Sequence, residues 1–300
     1  MKISIKMYGI ILLTSIISMA IFIGCSKERS DPKQEQSDYT QMTNYMDSKK
    51  QQEQVFEITG DGDGPIVGNQ GTKIWGSKEI LMYPNGDSVQ WPFTVNLVEL
   101  YTPKDMVYYQ MPTVSGGMLL TTGGEIRLRA FKDGQELLLR PDKTWTVEMP
   151  NNSPLLDMKI YYGVENPSYV DWTPIPAGDF ADTTYGYTGA IKKLGWVACG
   201  KIAYNTTSTI DYTFKSVTDN LQNIAIFIYL PAIKSLMQVY NQTSGALPIG
   251  ENAKTILMGI NTNNQLFYNY KDTVVSTKNL WNVKMDSISD AGLTAILDAL

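Results

Sequence analysis

Ile126-Arg127-Leu128-Arg129-Ala130-Phe131-Lys132, then Asp133-Gly134, then Gln135-Glu136-Leu137-Leu138-Leu139-Arg140 is the stretch that decides the fold. Apolar and polar residues alternate from Ile126 to Ala130, which puts one set on each face of a strand that continues to Phe131. Asp133 and Gly134 both accept positive φ, as a two-residue hairpin turn requires. Residues 136–140 are therefore expected to return antiparallel to residues 126–131.

The same period of two appears on either side of this hairpin. Val55-Phe56-Glu57-Ile58, Thr94-Val95-Asn96-Leu97-Val98-Glu99-Leu100 and residues 144–149 read as strands. Together they predict a compact antiparallel sandwich over residues 55–150. Residues 151–208 read as a connecting region, with strands at 158–162 and 195–199 and a long aromatic, Pro-rich loop at 163–187. A second small sandwich is expected over residues 209–300, with strands at 209–214, 224–230, 236–240, 254–260, 266–270 and 281–288. Ser289 is a plausible N-cap, and Leu293, Ile296, Leu297 and Leu300 share one face of a short terminal helix. The predicted fold class is mainly β: two antiparallel β-sandwich-like domains with a short C-terminal helix.

Composition excludes several chemistries. The chain has no histidine, so Ser-His-Asp and Cys-His catalysis and His-ligated zinc or iron sites have no inventory. No cofactor is implied. A formal charge of −5, from 25 basic and 30 acidic residues, comes with no Lys/Arg cluster in the folded part, so nucleic acid is not an expected partner.

The first residues carry an address. Lys2 and Lys6 precede an almost unbroken apolar run from Ile10 to Ile23, the pattern of an export signal over residues 1–24 and too short for a membrane span. Phe22-Ile23-Gly24-Cys25 resembles the cleavage and lipidation box of bacterial lipoproteins, with Phe22 where that box usually carries Leu. Cys25 is then the acylated mature N-terminus and the membrane is a partner through its lipid, which points to the cell envelope and its outer membrane, on either face. Residues 25–54, rich in Lys, Glu, Gln, Ser and Asp, read as a flexible tether, although Tyr39, Met42 and Met46 stand at helical spacing. With Cys25 acylated, Cys199 has no disulfide partner and is expected to be a buried, inert thiol.

Gly71-Thr72-Lys73-Ile74, Val95-Asn96-Leu97-Val98-Glu99-Leu100, Asp105-Met106-Val107, Met111-Pro112-Thr113 and Gly123-Gly124-Glu125-Ile126 resemble, in order and spacing, a family of uncharacterised Bacteroidetes lipoproteins with a ZU5-like β-sandwich domain. Gly195-Trp196-Val197-Ala198-Cys199-Gly200 keeps the Gly, Trp and Cys of a later family segment and replaces its two polar positions. The resemblance implies fold and carries no catalytic residues.

Two ligand sites suggest themselves. Asp61-Gly62-Asp63-Gly64 offers carboxylates to a hard cation, but Pro65 and Thr72 stand where a calcium loop needs oxygen ligands, so a plain turn is the favoured reading. The loop at 163–187 gathers Tyr169, Asp171, Trp172, Asp179, Phe180 and Tyr185. Exposed rings beside carboxylates suit a glycan, and paired carboxylates are the minimum for glycoside hydrolysis. The same rings serve equally to seal a β interface. The expectation is a binding or structural component of the envelope, with a glycan or envelope protein as partner and no enzymatic activity. The alternative is a glycan-binding surface protein or a carboxylate-dependent glycan hydrolase.

Overall fold

The computed structural model describes residues 36–60, 64–166, 169–204 and 208–300. The export signal, Cys25 and Asp61-Gly62-Asp63 lie outside them. The protein is mainly β, with 48% of the described residues in strands and 13% helical, and Ser37–Leu300 forms one compact unit.

Eleven strands build the first sheet around its long central member. They are β1 (Gln54–Ile58), β2 (Ile66–Val67), β3 (Lys73–Trp75), β4 (Phe93–Leu100), β5 (Met118–Lys132), β6 (Trp145–Pro150), β7 (Lys159–Asn166), β8 (Tyr169–Trp172), β9 (Gly178–Asp182), β10 (Gly186–Ile191) and β11 (Gly195–Ile202). Short strands at Val114–Ser115 and Gln135–Glu136 complete it. Backbone pairing runs β1-β4-β5-β11-β7-β9-β10-β6-β3-β2, with β8 beside β7. The predicted turn is present but its return strand is short, because Leu138–Leu139 leaves β5 and pairs with Leu81–Met82. Phe131 pairs with Glu136 and Lys132 with Gln135, and Asp133 and Gly134 take φ of 52° and 78°.

A second sheet of five strands follows: β12 (Ala225–Leu230), β13 (Ser235–Val239), β14 (Asn252–Ile260), β15 (Leu266–Val274) and β16 (Asp286–Ile288), ordered β13-β12-β14-β15-β16. Helix α1 spans Thr43–Lys49, α2 Pro103–Tyr109 and α3 Asp290–Asp298. As the sequence predicts, Ser289 caps α3, its side chain accepting from the Gly292 N–H at 3.1 Å. Apolar side chains gather in three cores. One lies within the first sheet, around Leu97, Leu128, Trp145 and Val197. The next joins Val98, Leu100, Tyr161 and Trp172 to Ile256, Met258 and Leu293, and so packs the two sheets and the helices together. The last covers the other face of the second sheet, around Ile228, Leu257 and Trp281.

Three expectations change. Residues 151–208 are not a connector, because β7, β9, β10 and β11 supply the middle of the first sheet and bridge β5 to β6. The loop expected at 163–187 is largely strand, since β8 and β9 pair across it with β7. The flexible tether does not extend to residue 54. The Ser37 N–H donates to the Thr218 carbonyl at 2.8 Å and the Tyr39 hydroxyl to Asp219 Oδ1 at 2.6 Å, while Met42 and Met46 enter the second core. Met46 lies in α1 and Met42 stands at its N-cap, whereas Tyr39 precedes the helix and packs in the third core. Met46→Ala is therefore expected to lower stability by about 2–3 kcal/mol in urea denaturation, whereas a tether residue would change nothing.

Two buried glutamates differ in kind. Glu99, with no exposure, accepts from the Thr72 and Gln70 N–H groups at 2.9 Å each and from Gln54 Nε2 at 2.8 Å. Glu125, equally buried, sits on β5 between Leu100 of β4 and Ala198 of β11, and neither of its oxygens has a hydrogen-bond partner among the described residues. Burial pushes its carboxyl well above the usual carboxylate range.

Candidate functional site

The two ends of the first sheet lie next to each other in sequence. The chain leaves β1 at Ile58 and re-enters at Ile66, but β2 pairs with β3 and β1 pairs with β4. Among the described residues neither β1 nor β2 has a partner on its outer edge, so the sheet stays open there.

A groove of about 1030 Å³ fills that opening, a size that suits a specific ligand. The period of two in β1 sets its wall: Phe56 and Ile58 face in, Val55 and Glu57 face out. Ile66 of β2 and Ile74 of β3 form the opposite side, over Phe93 and Val95 of β4 and Trp145 of β6. At the rims stand Val55, 63% exposed, and Val67, 51% exposed. Isolated exposed valines are ordinary; these two stand on the two edge strands that flank one groove.

Polar features of the groove are few. The Trp145 ring is buried and its Nε1 has no hydrogen-bond partner among the described residues. It reaches that depth because Gly76 has no side chain: a Cβ there would stand 2.2 Å from Nε1. Among the described residues Glu57 and Glu79 are the ionisable ones that line the groove, and no Lys or Arg does. Hydrogen bonds from its own backbone N–H and from the Ser77 side chain hold the Glu79 carboxyl below its usual range, so it is charged at neutral pH.

The residues singled out in the sequence are placed elsewhere. Trp172 is buried in the second core and its Nε1 donates to the Pro112 carbonyl at 2.8 Å. Phe180 is buried in the first core. These two rings therefore seal the fold and offer no face to a sugar, and they serve different cores. Asp171 accepts from the Trp172 N–H at 2.9 Å, and exposed Asp179 pairs with Lys159 at 2.5 Å. Half-buried Tyr185 donates to the Gly71 carbonyl, with Lys73 Nζ 3.6 Å from its ring centroid. The side chain of Tyr169, like Cys25, lies outside the described residues. Cys199 is fully buried and free, and burial pushes its thiol up, as expected of a structural cysteine. Among the described residues no cluster of acidic or sulfur ligands could hold a metal ion.

The groove was not visible in the sequence as a site. Its residues are strand residues with ordinary alternation, and only the pairing order makes β1 and β2 opposite ends of one sheet. No family profile, curated protein or solved structure matches the chain.

Proposed function

We propose that this chain is a lipid-anchored protein of the bacterial cell envelope, held in the outer membrane through Cys25, and that it acts as a binding component and not as an enzyme. The groove between β1 and β2 carries the proposal, because it joins an apolar floor with an indole N–H and two strand edges that have no partner among the described residues. The basic and apolar N-terminal run, the cysteine that ends it and the absence of histidine support the envelope and non-enzymatic parts. The likeness of its strand and turn motifs to Bacteroidetes lipoproteins points the same way.

Two measurements test this reading. Cells fed labelled palmitate should mark the wild-type protein and leave Cys25→Ala unmarked and released from membranes; equal membrane association of both would remove the anchor. Nile red, a neutral apolar dye, should bind the mature protein at one site, and Ile66→Trp, which fills the groove from a half-buried position, should weaken it at least tenfold. Dye binding unaffected by that substitution would remove the groove. Sugar released from envelope glycans by the purified protein would favour the hydrolase alternative instead.

A further inference from the structure

We infer that the groove receives an extended polypeptide segment from a partner protein, about five residues with alternating apolar and basic side chains, which pairs with β1 and closes the first sheet. This rests on the groove being the binding site, and it names the class of ligand.

The shape favours a strand over a compact small molecule. Ligand pockets enclose most of their occupant, whereas this groove runs open along β1, whose five residues span ~17 Å. Its boundary is backbone: the outer edge of β1 carries N–H and C=O groups with no strand beside them among the described residues. Such edges are normally blunted by Lys, Pro or a covering element. Neither β1 nor β2 contains Lys or Pro, and their outward residues include Val55 and Val67. An added strand would satisfy the edge, cover the valines and lay alternate side chains over Phe56 and Ile58.

Charge selects the outward side chains of the guest. Glu57 projects outward from β1 and Glu79 lines the rim with Lys78 Nζ 4.0 Å away, and no Lys or Arg is among the described lining residues. A segment with Lys or Arg at alternate positions meets complementary charge, and an acidic one meets repulsion.

The test pans a displayed library of random twelve-residue peptides against the mature protein. Enriched sequences should alternate apolar with basic residues. The double variant Val55→Lys, Val67→Lys alters only exposed side chains and so keeps its melting temperature. It should bind an enriched peptide at least tenfold more weakly, and Val55→Glu should bind it no less tightly than wild type. The proposal is overturned if enriched peptides lack alternation, or if the lysine variant binds them unchanged. Nile red separates the two levels of the argument. Dye bound in the groove with no peptide enriched overturns the strand and leaves the groove standing; absence of both overturns both.

Discussion

Glu99→Ala is expected to be the most damaging single substitution in the first sheet, costing about 3–5 kcal/mol in chemical denaturation, because it removes the one acceptor that three donors share. The carboxylate collects three donors from two separate pieces of chain, Gln54 at the start of β1 and the Gln70 and Thr72 backbone ahead of β3. Removing it strands those donors, of which the Thr72 N–H belongs to a fully buried residue, and an unpaired buried donor costs about 1–3 kcal/mol. It also unfastens the segment that carries β2, so the groove should widen and Nile red binding should fall even where the variant remains folded. Glu99→Gln, which keeps acceptor and volume in part, should lose less. A loss below about 1 kcal/mol for Glu99→Ala would show that the carboxylate does not hold this end of the sheet.

Replacing Glu125 should have the opposite sign. Its carboxyl makes no hydrogen bond among the described residues and is flanked by Leu100 and Ala198, so an apolar side chain of similar volume suits the site better. Glu125→Leu is expected to raise stability by about 1–3 kcal/mol at neutral pH, the cost of a buried polar group left without a hydrogen-bond partner. The pH dependence follows from burial, which raises the folded-state pKa. Because the folded state holds the proton more tightly than the unfolded chain, the favourable contribution is complete below the ordinary carboxylate range, around pH 4. It is lost as pH rises from there through the raised folded value. Wild-type stability should therefore decline over that window relative to Glu125→Gln, whose neutral amide does not titrate. Parallel stability curves for the two proteins from pH 4 to 9 would contradict a buried, protonated Glu125.

What could be read from the chain was local. The Asp133-Gly134 turn and the Ser289 cap are decided by neighbouring residues, and both stand as expected; the return strand beyond Leu137, which pairs with Leu81–Met82, is not local and does not. Sheet closure is not local. Nothing in residues 151–208 announces that β7, β9, β10 and β11 carry the first sheet from β5 round to β6, because a strand's partner is written in the other strand. The aromatic segment failed for a different reason: composition cannot separate a ring offered to a ligand from one packed inside, and Trp172 and Phe180 are packed inside. The helical spacing of Tyr39, Met42 and Met46 holds in part: Met46 lies in α1 and Met42 at its N-cap, while Tyr39 stands before the helix. The groove combines both difficulties, since it exists only because two strands adjacent in sequence end at opposite edges of one sheet.

The most direct measurement places a photo-crosslinking amino acid at Val67 in cells that make the protein, with Ile175, 77% exposed and absent from the groove lining, as the comparison site. The account predicts a discrete adduct at Val67 that disappears when Val55→Lys is added, and none at Ile175. No adduct at Val67, or adducts of equal yield at both positions, would contradict a binding site between β1 and β2.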